Sequence, residues 1–172
     1  MEAPIVSYET AVLKLHYLNY IVVEVPPGIL DQLPGKMEKG NYNQRLIIRL
    51  DGKVRWQCGI IAMGEGSGCI PVNATRLKAL KKTIGDDVQV ELFKDDSEFG
   101  VEVAEALVEY WAQEPESYSR FMNLKPSMQR YILQHVITAK STEKRVERTV
   151  LLMRNLVRSV EGKETFRELL GK

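Results

Sequence analysis

The chain has two cysteines and two histidines in 172 residues. Cys58 and Cys69 share no CxxC spacing, so neither a zinc ribbon nor a dithiol redox centre is encoded. Two thiols at unrelated positions point to a reducing compartment rather than a disulfide scaffold. No HExxH, GxSxG or Walker pattern occurs, so the expectation is no catalytic set, no metal ligands and no cofactor. Met1-Glu2-Ala3-Pro4 lacks a basic n-region, and no apolar run approaches the roughly 20 residues of a membrane helix. We therefore expect neither a signal peptide nor a membrane partner, and a cytoplasmic setting. Net charge is also scarce. With 24 Lys+Arg against 23 Asp+Glu the balance is +1, and no whole-protein field draws the chain to nucleic acid.

What is present is uneven charge and a change of period. Residues 1–100 hold 12 Lys+Arg against 13 Asp+Glu, whereas residues 120–158 hold nine cations against two acids, Glu143 and Glu147. Up to about residue 93 the pattern is strand-like. Glu9 to Leu15 and Tyr20 to Val25 read as strands, the second ended by Pro26-Pro27-Gly28, and Ile29 to Leu33 is a short helix at most. Gln44 to Leu50 and Lys53 to Cys58 flank Asp51-Gly52, a hairpin signal.

A two-residue turn there would mix apolar and charged residues on both faces. A three-residue loop, Leu50-Asp51-Gly52, pairs Ile48 with Val54 and Leu46 with Trp56, and sets Arg49 opposite Lys53. It gathers the apolar residues on one face and Arg45, Arg49, Lys53, Arg55 and Gln57 on the other, which favours it. Gly64-Glu65-Gly66-Ser67-Gly68 resembles a phosphate loop superficially. It leads into a strand at Cys69-Ile70 rather than a helix N-terminus, so it reads as a hairpin turn. A weak repeat links Val22 to Pro26, Ile29-Leu30 and the strand after Gln44 with Cys69-Ile70-Pro71, Leu77 and the strand after Asp87. Each unit is strand, proline, short helix, strand, which suggests a pseudo-twofold barrel.

From about residue 100 the period becomes helical. Ala104, Leu107, Val108 and Trp111 fall at i, i+3, i+4 and i+7. Pro115 and Pro126 suit first helical positions. Met128, Tyr131, Ile132, His135, Val136 and Ala139 form one inner side, and Val146, Val150, Met153, Val157 and Val160 the stripe of the last long helix. Glu164 to Leu170 forms a short closing helix.

These features carry a resemblance. Residues 1–93 resemble the double-split-barrel domain of unknown function that often precedes a helical module. Gly68-x-Ile70-Pro71 through Gly85-Asp86-x-Val88 also resembles AbrB-type swapped-hairpin regulators. Pro115, Phe121, Leu124, Pro126-Ser127, Gln129-Arg130, Ala139-Lys140, Arg145 and Arg148 resemble the bacteriocin-protection, YdeI/OmpD-associated family. The resemblance implies an α+β chain: a double-split β-barrel with short capping helices over residues 1–95, then a helical module over 100–172. It also implies a bacterial, cytoplasmic setting and carries no catalytic residues with it. AbrB-type proteins bind DNA through basic barrel loops; here Arg76, Lys78, Lys81 and Lys82 are followed at once by Asp86 and Asp87.

Two basic surfaces supply the candidate ligand or anion sites. On the strand face they are Arg45, Arg49 and Arg55, where a bland account needs acids from a neighbouring strand. In the helical half they are Arg130, Lys140, Arg145 and Arg148, for which joining helices is the structural alternative. On the last long helix Lys144, Arg148, Arg154 and Arg158 fall within about 120° of arc. The expected function is non-enzymatic binding of a small anionic ligand, another small molecule or a protein partner, with a link to bacteriocin or stress protection. The alternative is nucleic-acid binding through the strand cations and basic helix. It is disfavoured by the low net charge and the lack of an aromatic residue among the strand cations.

Overall fold

The computed structural model describes residues 2–17, 19–34 and 44–172. The chain divides into two compact units, Met1–Asp96 and Ser97–Lys172.

The first unit is a curled antiparallel sheet. Its strands are β1 (Val6–Leu15), β2 (Tyr20–Val25), β3 (Arg45–Leu50), β4 (Val54–Gly59), β5 (Ile61–Gly64), β6 (Ser67–Pro71) and β7 (Asp87–Lys94), in the order β4-β3-β7-β1-β2-β6-β5. The two edge strands, β4 and β5, are separated by Ile60 alone. Six inter-strand steps of about 4.8 Å would span roughly 29 Å in a flat sheet. Gly59 and Ile61 cannot be more than about 7.6 Å apart. The sheet must therefore curl until its edges meet end to end at Ile60, giving a half-barrel. Its concave side holds one core, including Val12, Val23, Val25, Leu46, Ile48, Leu50, Ile70, Val88, Val90 and Leu92.

Helices α1 (Pro27–Leu30) and α2 (Ala74–Leu80) contribute Leu30, Leu77 and Leu80 to that core. Asn73 caps α2, its Oδ1 accepting the Arg76 N–H at 2.8 Å. Lys81 closes the helix in the left-handed region at φ 56°, and the Lys82 N–H returns to the Leu77 carbonyl. Asp86 then accepts the Thr83 N–H through Oδ2 at 2.9 Å, so its carboxylate builds the turn into β7. The two strand–Pro–helix units share this one sheet: β2 pairs with β6 and β3 with β7, both antiparallel.

The hairpin differs from its expected register. Leu50 faces Val54, Ile48 faces Trp56 and Arg49 faces Arg55. Asp51 and Gly52 are both left-handed, at φ 49° and 66°, and the Lys53 N–H returns to Leu50 O at 2.9 Å. The cause lies in β7. The Asp51 N–H donates to Gln89 O, and Asp51 Oδ1 accepts the Gln89 N–H, each at 2.9 Å. The β3–β7 ladder thus continues through Asp51 and moves the turn one residue onward. The apolar and charged faces stay as expected, because both registers preserve strand alternation. Gly64, Glu65 and Gly66 are all left-handed and join β5 to β6, a hairpin turn as the glycine run suggests.

Tyr8 crosses from β1 to donate its hydroxyl to the Glu24 carbonyl of β2 at 2.8 Å. Tyr8→Phe is expected to cost about 1 kcal/mol in urea unfolding, the net worth of one such bond. An unchanged midpoint would show that the bond adds nothing to stability.

The second unit holds α3 (Glu105–Gln113), α4 (Pro115–Met122), α5 (Pro126–Ile137), α6 (Thr142–Arg158) and α7 (Phe166–Leu169). Its core includes Leu107, Trp111, Phe121, Ile132, Leu133, Val136, Leu152, Met153, Leu156 and Leu169. The buried face of α6 is Thr149, Leu152, Met153 and Leu156, so Met153 of the expected stripe is buried while its valines are not. Val146 and Val160 are exposed. Leu152 and Leu156 bury more apolar surface than the valines, and the helix turns to present them. Val108 and Tyr131, expected on inner faces, are also exposed, at 53% and 61%.

Candidate functional site

The strand-face cations do not act as one group. Arg49 on β3 lies opposite Glu91 on β7, and its Nε and Nη2 donate to the two carboxylate oxygens at 2.6 and 2.7 Å. The Arg49 hydrogen bonds hold the Glu91 carboxyl below its ordinary pKa. The neighbouring strand thus supplies the acid that the bland reading requires. Arg49 and Arg55 also stand over the Phe93 ring, 4.9 and 5.7 Å from its centroid. An aromatic residue therefore does sit between strand cations, contrary to the sequence-based expectation. It comes from β7, where strand order alone could have placed it.

Arg45 separates from these two. It faces Gly59 across the β3–β4 ladder, and a Cβ on Gly59 would lie 3.3 Å from Arg45 Nη1. The missing side chain leaves room for the guanidinium beside Gly59, and its charge acts on the Cys58 thiol next to it. A second guanidinium comes to β4 from α2: Arg76 lies over the Trp56 indole, 4.4 Å from the ring centroid. Asn73 positions it by capping the first turn. Burial pushes the Cys58 thiol up, while Arg45, the Trp56 indole N–H and Arg76 draw it down; the balance remains raised. Cys58 is thus a neutral thiol, donating to Gly59 O at 3.0 Å, and not an activated nucleophile. Burial pushes Arg76 below its ordinary value, so its charge is held where water is reduced. No carboxylate among the described residues pairs with Arg76. Cys69 is also a free thiol, raised by burial and then by Cys58.

This cluster of Arg45, Trp56, Cys58 and Arg76 is the candidate site of the first unit. Sequence reasoning placed Arg45 with Arg49 and Arg55, and named Arg76 only among the cations of the helix after Pro71, where Asp86 and Asp87 weigh against DNA binding. The available signal was the Asn73 cap that sets the phase of α2; Gly59 comes opposite Arg45 only in the observed hairpin register. Just past that helix Lys82 is tied down: its Nζ donates to Asp87 O at 3.0 Å and lies 3.9 Å from Asp51 Oδ2.

The remaining candidates lie in the second unit. Arg148 Nη1 donates to His135 O at 2.7 Å, and Arg145 Nε to Ala139 O at 3.3 Å. Both engage carbonyls at the C-terminal end of α5, where a helix exposes acceptors and partial negative charge. Arg130 is half-buried and Lys140 exposed. Burial, then Arg148 and Lys172, push the His135 imidazole below its ordinary pKa. Its ring packs against Phe166 at 5.7 Å, as a boundary histidine does.

Among the described residues, no group of three His, Cys, Asp or Glu side chains could hold a metal ion. No described helix is long and apolar enough to cross a membrane. No curated protein matches the chain. Residues 5–92, just over half of the chain and nearly all of its curled sheet, match a family model, and on that ground the chain belongs to the family defined by a domain of unknown function (DUF1905).

Proposed function

We propose that the DUF1905 unit is a non-enzymatic binding module for a small oxyanion, a carboxylate or phosphate, held at Arg45, Trp56, Cys58 and Arg76. One observation carries this reading: the partly buried Arg76 guanidinium stands 4.4 Å from the Trp56 ring centroid with no carboxylate partner among the described residues, and both its charge and that of Arg45 act on the neighbouring Cys58 thiol. Guanidinium forks match oxyanion geometry, and partial burial strengthens each charge-assisted hydrogen bond. Arg49 is the weaker candidate because Glu91 already occupies its fork. The neutral Cys58 thiol favours binding over covalent chemistry.

Trp56 reports on the site. Titration with benzoate or inorganic phosphate should change its emission saturably, and Arg76→Met should remove the change. The second tryptophan, Trp111, belongs to the other unit's core, so Trp56→Phe identifies the signal. A saturable change that survives both substitutions would place the anion elsewhere.

The double-split-barrel and AbrB-like descriptions fit the paired strand–Pro–helix units around Pro26 and Pro71. A YdeI/OmpD-associated reading of residues 100–172 draws support from where its motif residues fall. Pro126 opens α5, Gln129 Nε2 donates to Phe121 O at 3.0 Å, and Arg145 and Arg148 hold the far end of α5. The proposed link to bacteriocin or stress protection, and the bacterial, cytoplasmic setting, rest on that family likeness. Nucleic-acid binding stays second. Arg49 is neutralised by Glu91, and Lys82 is bonded to the Asp87 carbonyl, leaving fewer cations for phosphates.

A further inference from the structure

The helical unit contains a groove whose lining differs in chemistry from the first unit's arginine cluster. A groove of ≈ 310 Å³ opens between the α3–α4 junction and the last turns of α6. Glu114, Glu116 and Ser117 line it from the α4 side, Arg154, Val157 and Arg158 from α6, and Tyr110 from α3. Among the described residues, none of these four charges forms an ion pair. Arg154 and Arg158 are one helical turn apart, a spacing at which like charges repel. Helix dipoles account for acids at the start of α4 and a cation at the end of α6. They do not account for two acids and two cations facing one groove unpaired.

We propose that this groove binds a dipeptide-sized zwitterion, independently of the oxyanion site in the first unit. Arg154 and Arg158 take its carboxylate, Glu114 and Glu116 its ammonium group, and Tyr110 and Val157 its apolar side chain. The volume lies at the lower end of the roughly 300–1,000 Å³ usual for small-molecule sites, which suits two residues and not a longer peptide.

The test is an amide-resolved NMR titration of the full chain with glycyl-leucine. The expected result is saturable shifts confined to residues 110–117 and 154–158. N-acetyl-glycyl-leucine lacks the ammonium group and glycyl-leucinamide lacks the carboxylate. Each should bind about tenfold more weakly or worse, the loss of a charge-assisted hydrogen bond. Arg154→Gln and Glu116→Gln alter exposed side chains and should each weaken glycyl-leucine similarly, with the rest of the spectrum preserved. Absence of saturation, equal binding of the blocked peptides, or unchanged affinity in both variants would overturn the proposal.

Discussion

Arg120→Met is expected to destabilise the helical unit by about 3 kcal/mol or more, the scale for breaking a buried charged network by removing one partner. Arg120 and Glu164 side chains are only 12% and 9% exposed. The guanidinium donates to Val157 O at 3.1 Å, to Ser159 O at 3.0 Å, to Ser159 Oγ at 3.1 Å and to Glu164 Oε1 at 3.2 Å. It therefore gathers carbonyls at the end of α6 and pins the following loop to α4. Methionine keeps much of the aliphatic volume but leaves two carbonyls and a carboxylate without their donor. Urea unfolding followed through Trp111 emission, in a Trp56→Phe background, reads the loss. Arg49→Met serves as the comparison, because its ion pair is more exposed at 31% and 17%. A loss from Arg120→Met no larger than that from Arg49→Met would contradict this account.

The same network has a pH signature. Burial pushes the Glu164 carboxyl up, but the N–H groups of Glu164 and Gly162 and the Arg120 guanidinium outweigh it, and its pKa is lowered from 4.5. A lowered folded-state pKa contributes stability that is present above 4.5 and is lost as pH falls through the folded value. The difference between the parent chain and Arg120→Met should narrow as the solution is acidified below that range.

Gly68→Ala is expected to cost about 1–3 kcal/mol through overpacking. Its new Cβ would lie 2.4 Å from Ile60 Cγ2 and 3.3 Å from Ile61 O. Cγ2 branches directly from Cβ, so rotation cannot carry it far, and the opposing carbonyl is backbone. Gly68 has no positive φ, so the cost is steric and not conformational. The contact lies where the curled sheet brings its edge strands together at Ile60. Ile60→Ala alone should cost about 2–5 kcal/mol, because a buried side chain is replaced by a cavity. Combining the two lets the new methyl occupy that space, so the double variant should lose less than the sum by about 1 kcal/mol or more. Additivity of the two losses would remove the packing basis for closure at Ile60.

Strand alternation made the apolar faces of β3 and β4 legible, together with the proline-ended units that share the sheet core. The exact hairpin register was not legible, because it depends on Asp51 continuing the ladder to Gln89, 38 residues away. Strand β5 was missed because its four residues follow a one-residue bend and end in the glycine turn. The α6 face was misread by weighting valine spacing over the larger Leu152 and Leu156. At the site, the strand cations were visible as residues but not as partners. Glu91 and Phe93 reach Arg49 only through the β3–β7 pairing, and Arg76 reaches Trp56 only because α2 folds back to β4. Local period reports faces, whereas the partners of a charge depend on long-range strand order.

In the proposed oxyanion site Arg45 and Arg76, and not Arg49, hold the ligand. The most direct measurement follows the side-chain Nε–Hε resonances of these three arginines during a benzoate titration of the full chain. The account predicts that Arg45 and Arg76 shift together and saturably, while Arg49 stays in place under Glu91. Shifts confined to Arg49, or no saturable shift at Arg45 and Arg76, would contradict it.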